Sequence, residues 1–141
     1  MFLKKLEISG FKSFANKTGL DFLNNSGNKN SQGITAIVGP NGSGKSNIAD
    51  ALRWVLGEQS MRNLRSKKSQ DIIFAGSREK ARLGSARVTL YLDNSNKKLP
   101  LDFQEIAISR KLFRSGETEY LINGSRVRLQ DITDILAKAG I

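Results

Sequence analysis

The sequence contains no cysteine and no histidine. The first absence excludes disulfides and thiolate metal sites. The second removes the usual imidazole base and the usual zinc ligands. Long hydrophobic runs are missing too, so nothing approaches the length of apolar chain needed to span a bilayer. The first twelve residues alternate charged and apolar side chains and form no signal-peptide core. These absences lead to the expectation of a soluble, cytoplasmic protein with no membrane partner. Acidic residues are scarce, 13 against 23 basic ones, and the formal charge is +10. Nearly all of that surplus falls in the first 90 residues. A surface of this sign favours polyanions such as nucleotide, nucleic acid or anionic lipid, although it also serves as a plain solubilising face. At 141 residues and 38% hydrophobic content, the chain can bury the core of one domain.

Phe2–Ser9 sets Leu3, Leu6 and Ile8 among polar residues and reads as a strand. A turn over Gly10–Lys17 and a short strand at Leu20–Leu23 follow. Asn24–Gly33 has no apolar side chain and reads as a polar surface loop, with a tolerated insertion the plainer explanation. Ile34–Val38 is continuously apolar, as a strand buried on both faces would be. Residues 45–56 carry Ile48, Ala51, Leu52, Val55 and Leu56 at helical spacing, with Gly57 where a C-cap belongs. Residues 58–70 are polar and basic, and Asp71–Ala75 is a short apolar run ending at Gly76. Arg87–Asp93 alternates as a half-buried strand, with Val88, Leu90 and Leu92 on one side. Ile106–Phe113 and Glu119–Asn123 form a further pair, Asn123-Gly124 signals a tight turn, and Leu129–Ala139 is a final helix. Trp54 is expected in the core. The fold class is α/β with mixed and antiparallel β portions.

Gly39-Pro40-Asn41-Gly42-Ser43-Gly44-Lys45-Ser46 matches the pattern G-x-x-x-x-G-K-[ST], the Walker A phosphate loop of P-loop NTPases. Glycines at 39, 42 and 44 permit backbone angles closed to other residues and let the chain wrap closely around phosphates. Successive N–H groups then make an anion-binding nest, to which a helix opening at the loop adds its positive end. Lys45 can reach the β- and γ-phosphates of ATP, and the Ser46 hydroxyl can ligate Mg²⁺. Hydrolysis needs more, usually a second acidic Mg²⁺ ligand at a strand end and a group that positions water. Asp93 is the one candidate, but Asn94 follows it where a glutamate would be wanted, and it reads as a decoy. On its residues alone, the chain binds ATP and lacks the parts to hydrolyse it.

Beyond the loop, five further segments occur in order: Gly10–Phe14 (Gly-Phe-Lys-Ser-Phe), Asp50–Ser60, Asn63-Leu64-Arg65, Asp71–Gly76 and Phe113–Gly124. Together with Gly39–Asn47 they resemble the N-terminal part of the head of SMC (structural maintenance of chromosomes) proteins, of the bacterial chromosome-condensation type. The resemblance spans nearly the whole chain, and Arg53–Ser60 is not shared by P-loop enzymes at large.

It implies an ABC-type ATPase head built from two lobes, of which residues 1–141 form the N-terminal one. The C-terminal lobe would bring the signature motif, the Walker B acid and the catalytic glutamate. No heptad arm and no hinge occur in these residues, which suggests a fragment, a split gene product or a truncation. The implied cofactors are ATP and Mg²⁺. The implied partners are the C-terminal lobe, a second SMC head in a homodimer, kleisin-type subunits and double-stranded DNA at the nucleoid.

By position, the resemblance assigns Gly39 to Asn47 to the nucleotide and Ser46 to Mg²⁺. Lys12, Ser13 and Phe14 would lie near the base and ribose. Arg65 matches an arginine that contacts nucleotide at the interface of engaged heads, and Arg62, Lys67 and Lys68 match a DNA-facing patch. Phosphate contacts of that kind need only charge and reach. Two alternatives stay open: a stand-alone, non-catalytic nucleotide- or DNA-binding module, and the head lobe of a DNA-repair relative.

Overall fold

The computed structural model describes residues 2–22, 36–39 and 44–141. Its strands are β1 (Phe2–Ser9), β2 (Thr18–Asp21), β3 (Ser85–Asp93), β4 (Glu105–Phe113), β5 (Thr118–Ile122) and β6 (Ser125–Val127). The helices are α1 (Lys45–Val55) and α2 (Leu129–Lys138), and Ser69–Ile72 makes a single 3₁₀ turn. Among the described residues the strands form one six-stranded sheet in the order β2-β1-β3-β4-β5-β6. All five pairings are antiparallel.

Alternation along each strand makes one face of the sheet apolar. Leu6 and Ile8 of β1, Val88, Leu90 and Leu92 of β3, and Ile106, Ile108 and Leu112 of β4 are all buried there. α1 lays Ala51, Trp54 and Val55 on that face, and α2 adds Ile132 and Leu136. The Trp54 ring meets Phe11 at 5.4 Å between centroids. Removing a buried tryptophan costs about 3–5 kcal/mol, so α1 is held by its core contacts more than by helix propensity. The opposite face of the sheet is polar, and there Thr89 and Ser109 are cross-strand partners whose hydroxyls lie 2.9 Å apart.

Arg110 reaches inward from β4 and fixes the end of α1. Its Nη1 donates to the carbonyls of Trp54 (2.8 Å) and Glu58 (2.9 Å). Its guanidinium lies between the rings of Trp54 (4.7 Å) and Tyr120 (5.0 Å). A cation at the C-terminus of a helix also opposes the negative end of the helix dipole.

Several expectations shift. β2 begins two residues before the expected Leu20 and ends at Asp21, because Lys5 to Ile8 of β1 pair with Asp21 back to Thr18. The expected strand at Ile34–Val38 falls partly outside the described residues. Its described part, Ala36–Val38, is not in a strand, and Val38 is 88% exposed. An apolar run becomes an interior strand only where strands flank it, and none of the described strands pairs with this one. The mixed portion of the sheet is likewise not seen among the described residues. The polar loop 24–33 lies outside them.

The buried stripe of α1 is also rotated from the expected face. Asp50, Ala51, Trp54 and Val55 are buried, while Ile48, Leu52 and Leu56 are half-buried. The reason is Asp50, a charged side chain turned inward towards cations from other segments. Residues 58–70, which show no periodicity, hold a buried Leu64 and lead into the 3₁₀ turn.

Candidate nucleotide site

Gly44 has φ 92°, a left-handed conformation open to glycine, and it immediately precedes α1. A Cβ there would come within 3.4 Å of Ser13 Oγ and 3.6 Å of Phe14 Cζ. The start of the helix thus lies against the turn after β1, and it is the backbone angle that favours glycine there. The Lys45 ammonium donates to the Gly39 carbonyl at 2.7 Å, so the two ends of the Walker A segment are tied together. Ser46 is exposed in the first turn of α1. Pro40, Asn41, Gly42 and Ser43 lie outside the described residues.

The turn Gly10–Phe14 is brought to the same place. The Lys12 N–H donates to Ile72 O, the Phe14 N–H donates to Phe11 O, and Phe11 makes an isolated bridge to Ile73. Asn47 Nδ2 donates to Ser13 Oγ at 2.8 Å. Phe14 is half-buried against the core. Lys12 turns its ammonium inward, donating to Asp50 Oδ2 at 2.7 Å and also to the Leu64 carbonyl. Arg65 arrives from the other side. Its Nη2 donates to Asp50 Oδ2 at 2.6 Å and to Asn47 Oδ1 at 3.2 Å.

Lys12, Asn47, Arg65, Ser66, Lys67 and Asp71 line an open cleft of about 370 Å³ beside the start of α1. Asp50 is wholly buried beneath it. Burial alone would raise its pKa, but the hydrogen bonds from Arg65 and Lys12 outweigh that and hold the carboxyl below its usual value. Asp50 is thus an anion committed to protein cations, and the cleft above it keeps a positive surplus. Sequence reasoning did not single Asp50 out. The available signal is its place one turn after Ser46 and Asn47 and one turn before Trp54, a carboxylate on the buried side of the helix.

Arg62, Lys67 and Lys68 are exposed, and none of them pairs with a carboxylate among the described residues. Of the three, only Lys67 lines the cleft. Asp93 lies elsewhere. β3 meets Ser9 at Arg87 and ends at Asp93, which puts Asp93 about 20 Å along the strand from the turn that leaves β1. Its Oδ1 accepts hydrogen bonds from the Ser95 N–H and hydroxyl, as in a local turn. Asn94, buried next to it, donates to the carbonyls of Leu99, Leu101 and Phe103 and organises the following loop. Among the described residues no cluster of acidic side chains could hold a metal ion, so a Mg²⁺ here would rest on the Ser46 hydroxyl and on phosphate oxygens. That donor set fits the ion's preference for few protein ligands.

Residues 2–141 match the family described as RecF/RecN/SMC N terminal domain. The chain is 55% identical over 141 residues to the chromosome partition protein Smc of Bacillus subtilis (strain 168), covering 100% of this chain and 11% of that protein. It thus spans about a ninth of the length of the curated relatives it matches. A solved structure from work on ATP-driven dimerization and DNA stimulated activation of SMC ATPases superposes with a TM-score of 0.90 at 39% identity, covering 100% of this chain and 81% of that one. A Pyrococcus furiosus Smc head domain with an extended coiled coil, bound to the C-terminal domain of ScpA, gives 0.90 at 41% identity, covering 99% and 33%. The architecture is accordingly that of part of a P-loop, ABC-type SMC head.

Proposed function

We propose that this chain, which belongs to the RecF/RecN/SMC N terminal domain family, is the nucleotide-binding lobe of an SMC ATPase that acts on DNA in bacterial chromosome partition. The observation that carries the proposal is that the Lys12–Phe14 turn and Arg65 converge on the start of α1, beside Gly44-Lys45-Ser46, through Asn47 and the close approach of Gly44 to Ser13 and Phe14. Those three segments lie far apart in sequence, and all three are ones the family resemblance assigns to nucleotide. The 55% identity to a chromosome partition protein supports this role over that of a repair relative.

In this reading the backbone N–H groups at the start of α1 receive phosphate oxygens. Lys45 exchanges its bond with the neutral Gly39 carbonyl for a stronger one to an anionic phosphate oxygen. Ser46 offers its hydroxyl to Mg²⁺, which when bound neutralises phosphate charge. Ser13 and Phe14 border the site on the side of the β1 turn, and Arg65 offers a guanidinium from across the cleft. Asp50, surrounded by its own cations, plays no part in metal binding. Hydrolysis would depend on acidic groups from a C-terminal lobe and on a second head. ScpA-type subunits and double-stranded DNA would be the further partners, with Arg62, Lys67 and Lys68 meeting the DNA backbone. The working place would be the cytoplasm, at the nucleoid. Among the described residues no helix is long and apolar enough to cross a membrane.

The test is equilibrium binding of a fluorescent ATP analogue with Mg²⁺ to the full chain as the cell makes it, beside Lys45→Ala. Affinity is expected to fall by about a hundredfold in the variant, as the loss of a hydrogen bond between two charged groups implies. Unchanged affinity overturns the site.

A further inference from the structure

Five side chains close a polar ring beside the start of α1. Lys12 donates to Asp50, Arg65 donates to Asp50 and to Asn47, and Asn47 donates to Ser13, the residue after Lys12. The ring joins the turn after β1, two successive turns of α1 and the segment at Arg65. Its hub is one oxygen. Asp50 Oδ2 accepts from Lys12 Nζ at 2.7 Å, from Arg65 Nη2 at 2.6 Å and from Arg65 Nε at 3.1 Å. Oδ1 is buried without a hydrogen bond, and the Arg53 guanidinium stands 3.6 Å from it.

Arg65 therefore meets the carboxylate with one edge, using Nε and Nη2. Its side chain remains 53% exposed and lines the cleft, and Nη1 makes no hydrogen bond among the described residues. Lys12 and Arg65 also share an uncommon backbone conformation, φ 49° and 52°, which residues with a Cβ adopt only when their surroundings impose it.

An apolar side chain of similar size would tie these segments together without the cost of burying a charge. It could not orient a guanidinium. We propose that Asp50 is a positioning residue for the nucleotide site: its buried carboxylate holds Arg65 edge-on, and with it the Asn47–Ser13 pair, so that the outward edge of the guanidinium is presented to phosphate. Asp50 itself touches no ligand. This rests on the nucleotide reading given above.

The experiment is binding of the fluorescent ATP analogue with Mg²⁺ to the full chain and to Asp50→Asn, Arg65→Ala, the double variant, Arg65→Lys and Lys45→Ala. Asp50→Asn is expected to weaken binding about tenfold, and the double variant is expected to bind no more weakly than Arg65→Ala alone, because both changes remove one interaction. Arg65→Lys keeps the charge and leaves the buried carboxylate paired, so it tests the idea even if Asp50→Asn fails to fold. It is expected to match Arg65→Ala, since one ammonium cannot reach Asp50, Asn47 and phosphate together. Wild-type affinity in Asp50→Asn or in Arg65→Lys overturns the proposal, as does a double variant whose losses multiply. If Lys45→Ala abolishes binding while one of those results is found, the positioning role alone falls. If Lys45→Ala binds normally, the nucleotide reading falls and takes this one with it.

Discussion

Arg110 illustrates how much a single inward-facing charge can do here. It is 5% exposed, and burial pushes its pKa below the usual arginine value, against the pull of Tyr120 and Glu58. Its value lies in two carbonyl partners at the end of α1 and in two aromatic faces. Arg110→Met keeps the volume and removes the bonds. It is expected to lower stability by about 2 kcal/mol, the worth of hydrogen bonds from a charged donor. Trp54 is the single tryptophan and sits against this guanidinium, so its fluorescence during urea unfolding reports the change directly. A shift below about 0.5 kcal/mol, the range of ordinary surface substitutions, would mean that the Gly57 turn caps the helix by itself. Trp54 was legible in the sequence as a core residue, because it sits in an amphipathic helix. Asp50 and Arg110 were not, because what permits a charge inside is a set of partners from distant segments.

At the level of elements, Gly10 is the tightest joint. It has φ 66°, and a Cβ would lie 2.3 Å from the Ser85 carbonyl oxygen at the start of β3. Gly124 also has positive φ, 83°, but a Cβ there would meet nothing within 4 Å. Gly10→Ala must push β1 away from β3 and disturb the turn that carries Lys12 to Phe14. It is expected to cost more than about 2 kcal/mol, whereas Gly124→Ala should cost only the left-handed penalty of about 1 kcal/mol. Thermal unfolding of the two variants side by side checks this, and equal losses would remove the clash as the cause. The Asn123-Gly124 turn was readable because its chemistry is local: both residues take positive φ and join β5 to β6. β3, β4, α1 and α2 were readable from periodicity. The described part of the run at 34–38, residues 36–38, departs from the expected strand for the opposite reason. A buried strand is defined by its neighbours, and periodicity says nothing about which neighbours are present.

For the molecule as a whole, two features compete. The positive charge favours solubility, while Val38 at 88% and Ile37 at 44% exposure present apolar surface next to the phosphate loop. Chain of these 141 residues made alone is expected to self-associate as its concentration rises. Val38→Ser should raise the monomer fraction seen by light scattering, and an unchanged fraction would place the sticky surface elsewhere. The family was legible because its segments are each written in contiguous residues. The sheet order was not, because it depends on β1 reaching past β2 to pair with β3.

That pairing also bears on how the protein comes apart. β3 to β6 form a meander of strands adjacent in sequence, in which only the β3–β4 connection exceeds four residues. The β1–β3 seam encloses β2, the phosphate loop, α1 and Arg65 in one long excursion of the chain. Contacts across a long excursion carry the larger loop-closure cost, and we expect them to form after the local meander. A nucleotide gripped by Lys45 and Arg65 would fasten that excursion from within. Its effect would be felt in the lifetime of the native state, by slowing unfolding, far more than in the speed at which the chain first folds.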